Sequence, residues 1–220
     1  MSSQSLSGFA RLLDRYAPLT PAPLCPELHV FQARSLTEVW EAVDRLAGQP
    51  TPSPFWAYAW PAGAALARVV LDRPELVRGL RVLDIGAGGG VAALAAAKAG
   101  AANVVANDED PRALEVVALA AARQDLAVEP VAGDVIESPA LLAGHDVVLC
   151  ADLGYERERA PRLHTLLRDA RAAGTAVLVA DAGRKYFEPA GLEPLARFDV
   201  GVPEDLEGVT MRTAVVYRMP

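Results

Sequence analysis

The chain has 220 residues, of which 52% are hydrophobic and 22% are charged, and its formal net charge at pH 7 is −7. This composition is typical of a single globular domain with a well-buried core, and no apolar run approaches the roughly 20 residues that a membrane span needs. The acidic balance disfavours nucleic acid as the main partner, because phosphate backbones are bound through clustered lysine and arginine.

The amino terminus and the cysteines indicate the compartment. Residues 1–4 have neither the basic nor the apolar region of a secretory signal. Two cysteines, Cys25 and Cys150, are too few for a disulfide framework, and Cys150 closes an apolar run, as an inert buried thiol does. We therefore expect a cytoplasmic protein.

The first 50 residues differ in pattern from the rest of the chain. They predict a short amphipathic helix at residues 6–16, a proline-rich stretch at 18–26 and a strand at 28–32. Ser35-Leu36-Thr37-Glu38 is a capping box that predicts the start of a helix reaching residue 46.

Residues 49–54 include three prolines and cannot form regular structure, because each proline lacks an N–H donor and fixes φ. We expect this segment to link an appendage of residues 1–50, packed on the core, to a main domain of residues 51–220.

The main domain alternates apolar strands with helices. This alternation predicts an α/β fold with a doubly wound, mostly parallel sheet and helices on both faces. Ligands of such folds bind at the carboxyl ends of the strands, near the point where the strand order reverses. The predicted strands cover residues 81–85, 103–106, 128–131, 146–150, 176–180, 195–202 and 211–218, and the predicted helices cover 91–99, 110–124 and 157–172. An acidic loop at residues 203–208 joins the last two strands.

A glycine-rich loop at residues 86–90 follows the first strand of the main domain. A P-loop would need Gly-Lys-Ser/Thr at its end, and a dinucleotide fingerprint would need glycine where this chain has Val91. The remaining interpretation is an S-adenosylmethionine loop, with Asp84 two residues before Gly86. A carboxylate there complements an ammonium and a sulfonium, whereas a pyrophosphate favours bare N–H groups.

Acidic residues end the next two strands as well. Asp108 lies 22 residues after Gly86, where a carboxylate can accept both ribose hydroxyls of an adenosine, and Asp134 follows the third strand, where it can accept from the adenine amino group. Each aspartate alone is equally well explained as a solvated loop acid or a helix cap. Three of them at successive strand ends favour a nucleoside site.

Three stretches carry a resemblance to a known family. Residues 54–63 include Trp60-Pro61-Ala62-Gly63, residues 152–156 include Asp152-Leu153-Gly154-Tyr155, and residues 181–184 are Asp181-Ala182-Gly183-Arg184. With these and the glycine loop, the chain resembles the class I, seven-stranded methyltransferases. Among them it is similar to the family 16 protein-lysine methyltransferases that modify the β subunit of electron transfer flavoprotein. Those enzymes have Trp-Pro-Gly-Gly, Asp-x-x-Tyr and Asp-Pro-Gly-Arg, so Ala62 and Ala182 depart from the pattern.

The resemblance implies a seven-stranded, Rossmann-like methyltransferase domain over residues 51–220, S-adenosyl-L-methionine as cofactor and the flavoprotein β subunit as protein substrate. Methyl transfer of this kind requires no metal, and the three histidines have no ligand spacing. The residues that it implies for cofactor binding are Trp60, Asp84, Gly86, Gly88, Asp108 and Asp134, and those for the substrate side are Asp152 and Tyr155.

The two substrate-side residues have expected roles in methyl transfer to an amine. Asp152 is expected to stabilise the positive charge that develops on the substrate nitrogen, and Tyr155 to orient the amine or wall its channel. Trp60 has a second interpretation, since an aromatic residue before a helix that starts with proline is often a packing anchor. Its neighbours Phe55, Trp56 and Tyr58 are more typical of a core or a lid than of ligand contacts.

Several alternatives remain open at this point. A nicotinamide-like small amine or another protein, such as a ribosomal protein, could accept the methyl group, and a catalytically silent partner could keep the fold. Methylation of nucleic-acid bases is disfavoured by the acidic charge and by Leu153-Gly154 in place of Pro-Pro. A dehydrogenase is disfavoured by Val91 and Asp84.

Overall fold

The computed structural model describes residues 8–220, and at residue 205 the backbone alone. Its amino-terminal part has the order α1 (Gly8–Tyr16), β1 (Leu19–Ala22), β2 (Cys25–Phe31) and α2 (Leu36–Ala47). The predicted helices and strand are confirmed there, while residues 6 and 7 of the first predicted helix lie outside the described residues.

Two details of this part follow from local chemistry. The Ser35 side chain accepts from the Glu38 N–H at 3.3 Å, which confirms the capping box, and Gly48 at φ +69° ends α2. The proline-rich stretch, for which the sequence predicts no element, contains β1. Pro21 is tolerated there because β1 pairs with β2 in a two-stranded sheet and keeps a free edge.

The main sheet has seven strands in the order β5-β4-β3-β6-β7-β9-β8. All neighbours are parallel except that β9 runs antiparallel to both β7 and β8. The elements are α3 (Pro61–Asp72), β3 (Arg81–Ile85), α4 (Val91–Lys98), β4 (Asn103–Asp108), α5 (Pro111–Ala122), β5 (Glu129–Ala132), β6 (Val147–Ala151), α6 (Arg159–Ala172), β7 (Ala176–Asp181), β8 (Glu193–Gly201), α7 (Glu204–Glu207) and β9 (Met211–Arg218). The predicted fold class, a doubly wound and mostly parallel seven-stranded sheet, is confirmed.

The strand order creates the reversal point that the alternation predicts. From β3 the chain builds outward through β4 to β5, and it then returns to add β6 on the other side of β3. The loops that follow β3 and β6 therefore lead to opposite sides of the sheet, and a crevice forms between them at the carboxyl ends of these two strands. The prediction of a loop at residues 203–208 is wrong in one respect. The segment contains the single-turn helix α7, which ends at Gly208 with φ +69°.

Apolar side chains cover both faces of the sheet. α3, α4 and α5 pack on one face in a cluster that includes Leu66, Leu94 and Val117, and α6 packs on the other through Leu163 and Leu167. Buried side chains of α1, β2 and α2 belong to the first cluster. The division of the chain at residue 50 stays a prediction. Within residues 8–220, no helix has the length and apolar character needed to cross a membrane.

Candidate active site

A cavity of about 820 Å³ opens at the carboxyl ends of β3, β4 and β6. Seven of the eight predicted site residues line it, and the structure thus brings together side chains that are far apart in sequence. These seven are Trp60, Gly86, Gly88, Asp108, Asp134, Asp152 and Tyr155. The eighth, Asp84, lines a small adjoining cavity of about 40 Å³, which shares Trp60, Gly86 and Gly88 with the larger one.

The glycine loop needs glycine for two physical reasons. Gly86 and Gly90 have φ of +62° and +79°, a region that residues with a Cβ rarely adopt. A Cβ at Gly86 would lie 2.8 Å from the Leu153 side chain, and one at Gly90 would lie 2.6 Å from Val117. The loop therefore packs directly against the segment after β6 on one side and against α5 on the other.

Asp84 is the most buried carboxyl of the predicted set. Its Oδ2 accepts from the Ala93 N–H, in the first turn of α4, at 3.0 Å. Burial, opposed by that hydrogen bond and assisted by the charge of Asp108, raises the pKa of Asp84 to about 7. A cation placed in the adjoining cavity favours the ionised form of this carboxyl.

Asp108, the last residue of β4, organises the loop beside it. Its Oδ2 accepts from the Gly88 N–H and its Oδ1 from the Asp110 N–H, both at 2.9 Å. Burial raises the pKa of this carboxyl, and the backbone N–H groups oppose that shift. Each carboxylate oxygen can accept a second hydrogen bond, so Asp108 can still accept from a ligand's hydroxyl groups.

Asp134 is held by a residue that the sequence reasoning missed. Its Oδ1 accepts from the Ile136 N–H at 2.8 Å, and its Oδ2 accepts from Nη1 of Arg159 at 3.0 Å. Burial acts to raise the pKa of Asp134, but the Ile136 N–H and the Arg159 guanidinium outweigh it and the net pKa is lowered. Arg159 begins α6, and no short-range pattern relates it to a residue 25 positions earlier.

Asp152 follows β6 with a backbone φ of +57°, which is unusual for a residue other than glycine. Its Oδ2 accepts from the Ala62 N–H at 2.8 Å and its Oδ1 from Nε of Arg184 at 2.7 Å. Burial raises the pKa of Asp152, and Arg184 opposes that shift. The carboxylate at this position is thus fixed in place and already paired with one cation.

Arg184 and Glu207 are further cavity residues that were not predicted as site residues. Two nitrogens of Arg184 donate to the two carboxylate oxygens of Glu207, at 3.1 and 2.9 Å. Arg184 belongs to the stretch that carries the family resemblance, and Glu207 belongs to the acidic loop. Since Arg184 lies in the loop after β7 and Glu207 lies 23 residues later in α7, their pairing has no signature in the sequence.

Aromatic side chains form the rim of the cavity. The Trp60 indole N–H donates to the Phe55 carbonyl at 2.9 Å, and the Trp60 ring meets the rings of Phe55 and Tyr58 edge-on. Phe55 and Tyr155 are 49% and 47% exposed, with ring centroids 6.2 Å apart. Trp56 is buried in the core against Phe9 and is also one of the residues that line the cavity. Trp60 has the contacts of a packing anchor and also lines the cavity.

Comparison with known proteins agrees with this geometry. A family model described as a methyltransferase domain matches residues 82–174. The solved structure of Pyrococcus abyssi tRNA (uracil-54, C5)-methyltransferase in complex with S-adenosyl-L-homocysteine has a TM-score of 0.52 at 19% identity, covering 74% of this chain and 38% of that one, a likeness of fold alone. The fold and the glycine-loop site together define a class I methyltransferase.

Curated relatives narrow the assignment. The electron transfer flavoprotein beta subunit lysine methyltransferase of Danio rerio is 40% identical, with 77% of this chain and 67% of the relative covered. The Xenopus laevis protein of the same name is 34% identical, with 90% and 82% covered. The chain belongs to the family of electron transfer flavoprotein beta subunit lysine methyltransferases.

Proposed function

We propose that this protein uses S-adenosyl-L-methionine to methylate lysine side chains on the β subunit of electron transfer flavoprotein. The proposal of the substrate depends mainly on the similarity to relatives with that activity in their names, which extends over 82% of the Xenopus protein. The proposal of the cofactor depends mainly on the cavity at the ends of β3, β4 and β6.

The residues around the cavity fit this cofactor in size and in charge. A volume of about 820 Å³ is within the ~300–1,000 Å³ range of small-molecule sites. Asp84 offers a buried carboxyl to a cationic group, and Asp108 can accept from ribose hydroxyls. Asp134 is suited to an exocyclic amino group, and Gly86 and Gly88 allow close approach to the backbone. Trp60 completes the set as an aromatic wall.

When bound, S-adenosylmethionine supplies a methyl group on a cationic sulfonium. The chain's own residues must then prepare the accepting amine, which has to be neutral although a free lysine has a pKa of about 10.4. Phe55, Trp60 and Tyr155 form an apolar approach to the site, and desolvation there lowers the pKa of a lysine ammonium. Asp152 offers a fixed carboxylate for the charge that develops on the nitrogen. Much of the rate enhancement then comes from positioning.

The experiment is methylation of purified electron transfer flavoprotein, followed by intact-mass spectrometry of its β subunit. We expect the mass to rise in steps of one methylene, with the additions confined to lysine-containing peptides. Asp108→Ala enzyme is the matched control, and it should produce far fewer additions in the same time at a cofactor concentration below its dissociation constant. An unshifted β subunit, together with labelling of small amines or of another protein, would contradict the substrate.

A further inference from the structure

A buried set of ion pairs connects the loop after β6 to the segment between β8 and β9. Arg184 donates to Asp152 through Nε and to both carboxylate oxygens of Glu207 through its two terminal nitrogens. The side chains of Arg184, Asp152 and Glu207 are 15%, 7% and 2% exposed. In such surroundings the removal of one partner leaves an uncompensated buried charge, so each member depends on the others.

Asp152 has its side chain and its backbone fixed by separate partners. Its own N–H donates to the Ala180 carbonyl at 3.1 Å, while the Ala62 N–H and Arg184 each hold one carboxylate oxygen. A left-handed backbone at a residue other than glycine persists only where its surroundings determine it strongly. The direction of the Asp152 carboxylate therefore depends on where Arg184 is held.

Arg184 is in turn held by groups on three sides. Asp181 Oδ1 accepts from the N–H groups of Gly183 and Arg184, at 2.7 and 2.9 Å, which fixes the backbone. The guanidinium carbon lies 5.2 Å from the centre of the Trp60 ring. Glu207 accepts from the two terminal nitrogens of Arg184. Among these three contacts, it is the only one that places a negative charge against that end of the guanidinium.

The charges of this group also matter. Arg184 alone would cancel the charge of Asp152, and a neutral pair would give little stabilisation to a cation forming in the cavity. Glu207 adds a second carboxylate to Arg184, so the charge of Asp152 is less completely neutralised. Arg212 also pairs with Glu207, at 3.0 Å, and the four side chains together are neutral. Both Asp152 and Glu207 line the cavity, and Leu206 beside Glu207 does as well.

We propose that Glu207 is a positioning residue for methyl transfer, acting through Arg184 to aim the Asp152 carboxylate and to keep Arg184 from fully neutralising it. This inference rests on the proposed function. It assigns a role in the reaction to the short connection between β8 and β9, and it explains why a glutamate is buried there. Glu207 itself need not touch the accepting amine.

The test compares Glu207→Gln with Glu207→Asp in steady-state methylation of the flavoprotein. Because Asp152 would act where charge develops, Glu207→Gln should lower kcat by about tenfold or more and change KM by less than about twofold. Glu207→Asp keeps the charge and should recover part of that loss. A second readout, independent of activity, is the Arg184 Nε–H resonance in NMR spectra of the protein, which should shift in Glu207→Gln.

Arg212→Gln is the matched control. Arg212 donates to Oε2 and to the carbonyl of Glu207, both at 3.0 Å, so this change removes contacts of the same segment without removing a partner of Arg184. It should change kcat by less than about twofold and leave the Arg184 resonance in place. A wild-type kcat in Glu207→Gln, or equal losses in Glu207→Gln and Arg212→Gln, would overturn the inference. If the wild-type enzyme leaves the flavoprotein unmodified, the proposed function fails instead.

Discussion

At the scale of single residues, the Asp84 carboxyl illustrates a conflict between stability and ligand binding. It lies in β3 with 3% of its surface exposed, and burial raises its pKa to about 7, whereas an aspartate in the unfolded chain titrates near 3.8. The folded protein therefore holds a proton that the unfolded chain has released between these two pH values. The contribution of Asp84 to the free energy of unfolding therefore falls as the pH rises from about 4 to about 7.

Asp84→Asn should therefore stabilise the ligand-free protein at pH 8, by about 1–3 kcal/mol in free energy of unfolding. Asparagine can keep the hydrogen bond from the Ala93 N–H and has no charge to bury. The variant should also have a smaller loss of stability between pH 5 and pH 8 than the wild type. Urea unfolding at the two pH values measures both quantities, and an equal pH dependence in the two proteins would contradict the burial argument.

Asp108 is the residue at which cofactor binding is most directly tested. Asp108→Ala should weaken binding of S-adenosylmethionine by about 2–3 kcal/mol, roughly 30- to 150-fold, since it removes charge-assisted hydrogen bonds. Calorimetric titration of the folded variant gives this value.

Asp110→Ala is the control for Asp108→Ala, because Asp110 caps α5 through the Arg112 N–H and lies two residues away. Its effect on the dissociation constant should stay below about threefold. Equal losses in the two variants would mean that Asp108 acts only by supporting the start of α5.

At the scale of elements, the sequence predicts the strands and helices of the main sheet because apolar runs and their caps are local signals. The predicted and observed bounds of β3 are the same, because its apolar run begins after Arg81 and ends before Gly86. β1 and α7 are not predicted. β1 depends on pairing with β2, and α7 is a single turn, too short for a periodic pattern. β4 and β7 extend to Asp108 and Asp181 because neighbouring strands continue their hydrogen bonding there.

The glycine loop provides the element-scale prediction. Gly90→Ala should cost at least about 1 kcal/mol more in unfolding free energy than Gly144→Ala. Both glycines have φ near +80°, but a Cβ at Gly90 would meet Val117 whereas nothing lies within 4 Å of a Cβ at Gly144. Urea unfolding measures the difference. In a Val117→Ala background, Gly90→Ala should cost less than it does in the wild type, and an equal cost in the two backgrounds would contradict this packing argument.

At the scale of the whole molecule, the sequence could predict that several acids meet but not how they are paired. Asp84, Asp108 and Asp134 end successive strands, and the parallel sheet brings them to one edge. The cations of the site come from other elements: Arg159 on α6 pairs with Asp134, and Arg184 after β7 pairs with Asp152. Those pairs depend on three-dimensional packing, which is why Glu207 could not be identified from its position in the chain.

The net charge of −7 has a consequence for the encounter with a lysine-bearing surface. Long-range attraction should raise the association rate at low ionic strength and be screened by salt. We expect kcat/KM for the flavoprotein to fall several-fold between about 50 and 300 mM salt, with kcat nearly constant. Initial rates at subsaturating substrate give this value. A salt-independent kcat/KM would indicate that charge does not guide the encounter.

The central claim is tested most directly by incubating the protein and radiolabelled S-adenosylmethionine with a cell lysate. The labelled band is then identified, and its labelled amino acid is determined after hydrolysis. The account predicts that the main labelled protein is the β subunit of electron transfer flavoprotein and that the label is recovered as methylated lysine. Label in small molecules, in nucleic acid or in a different protein would contradict it.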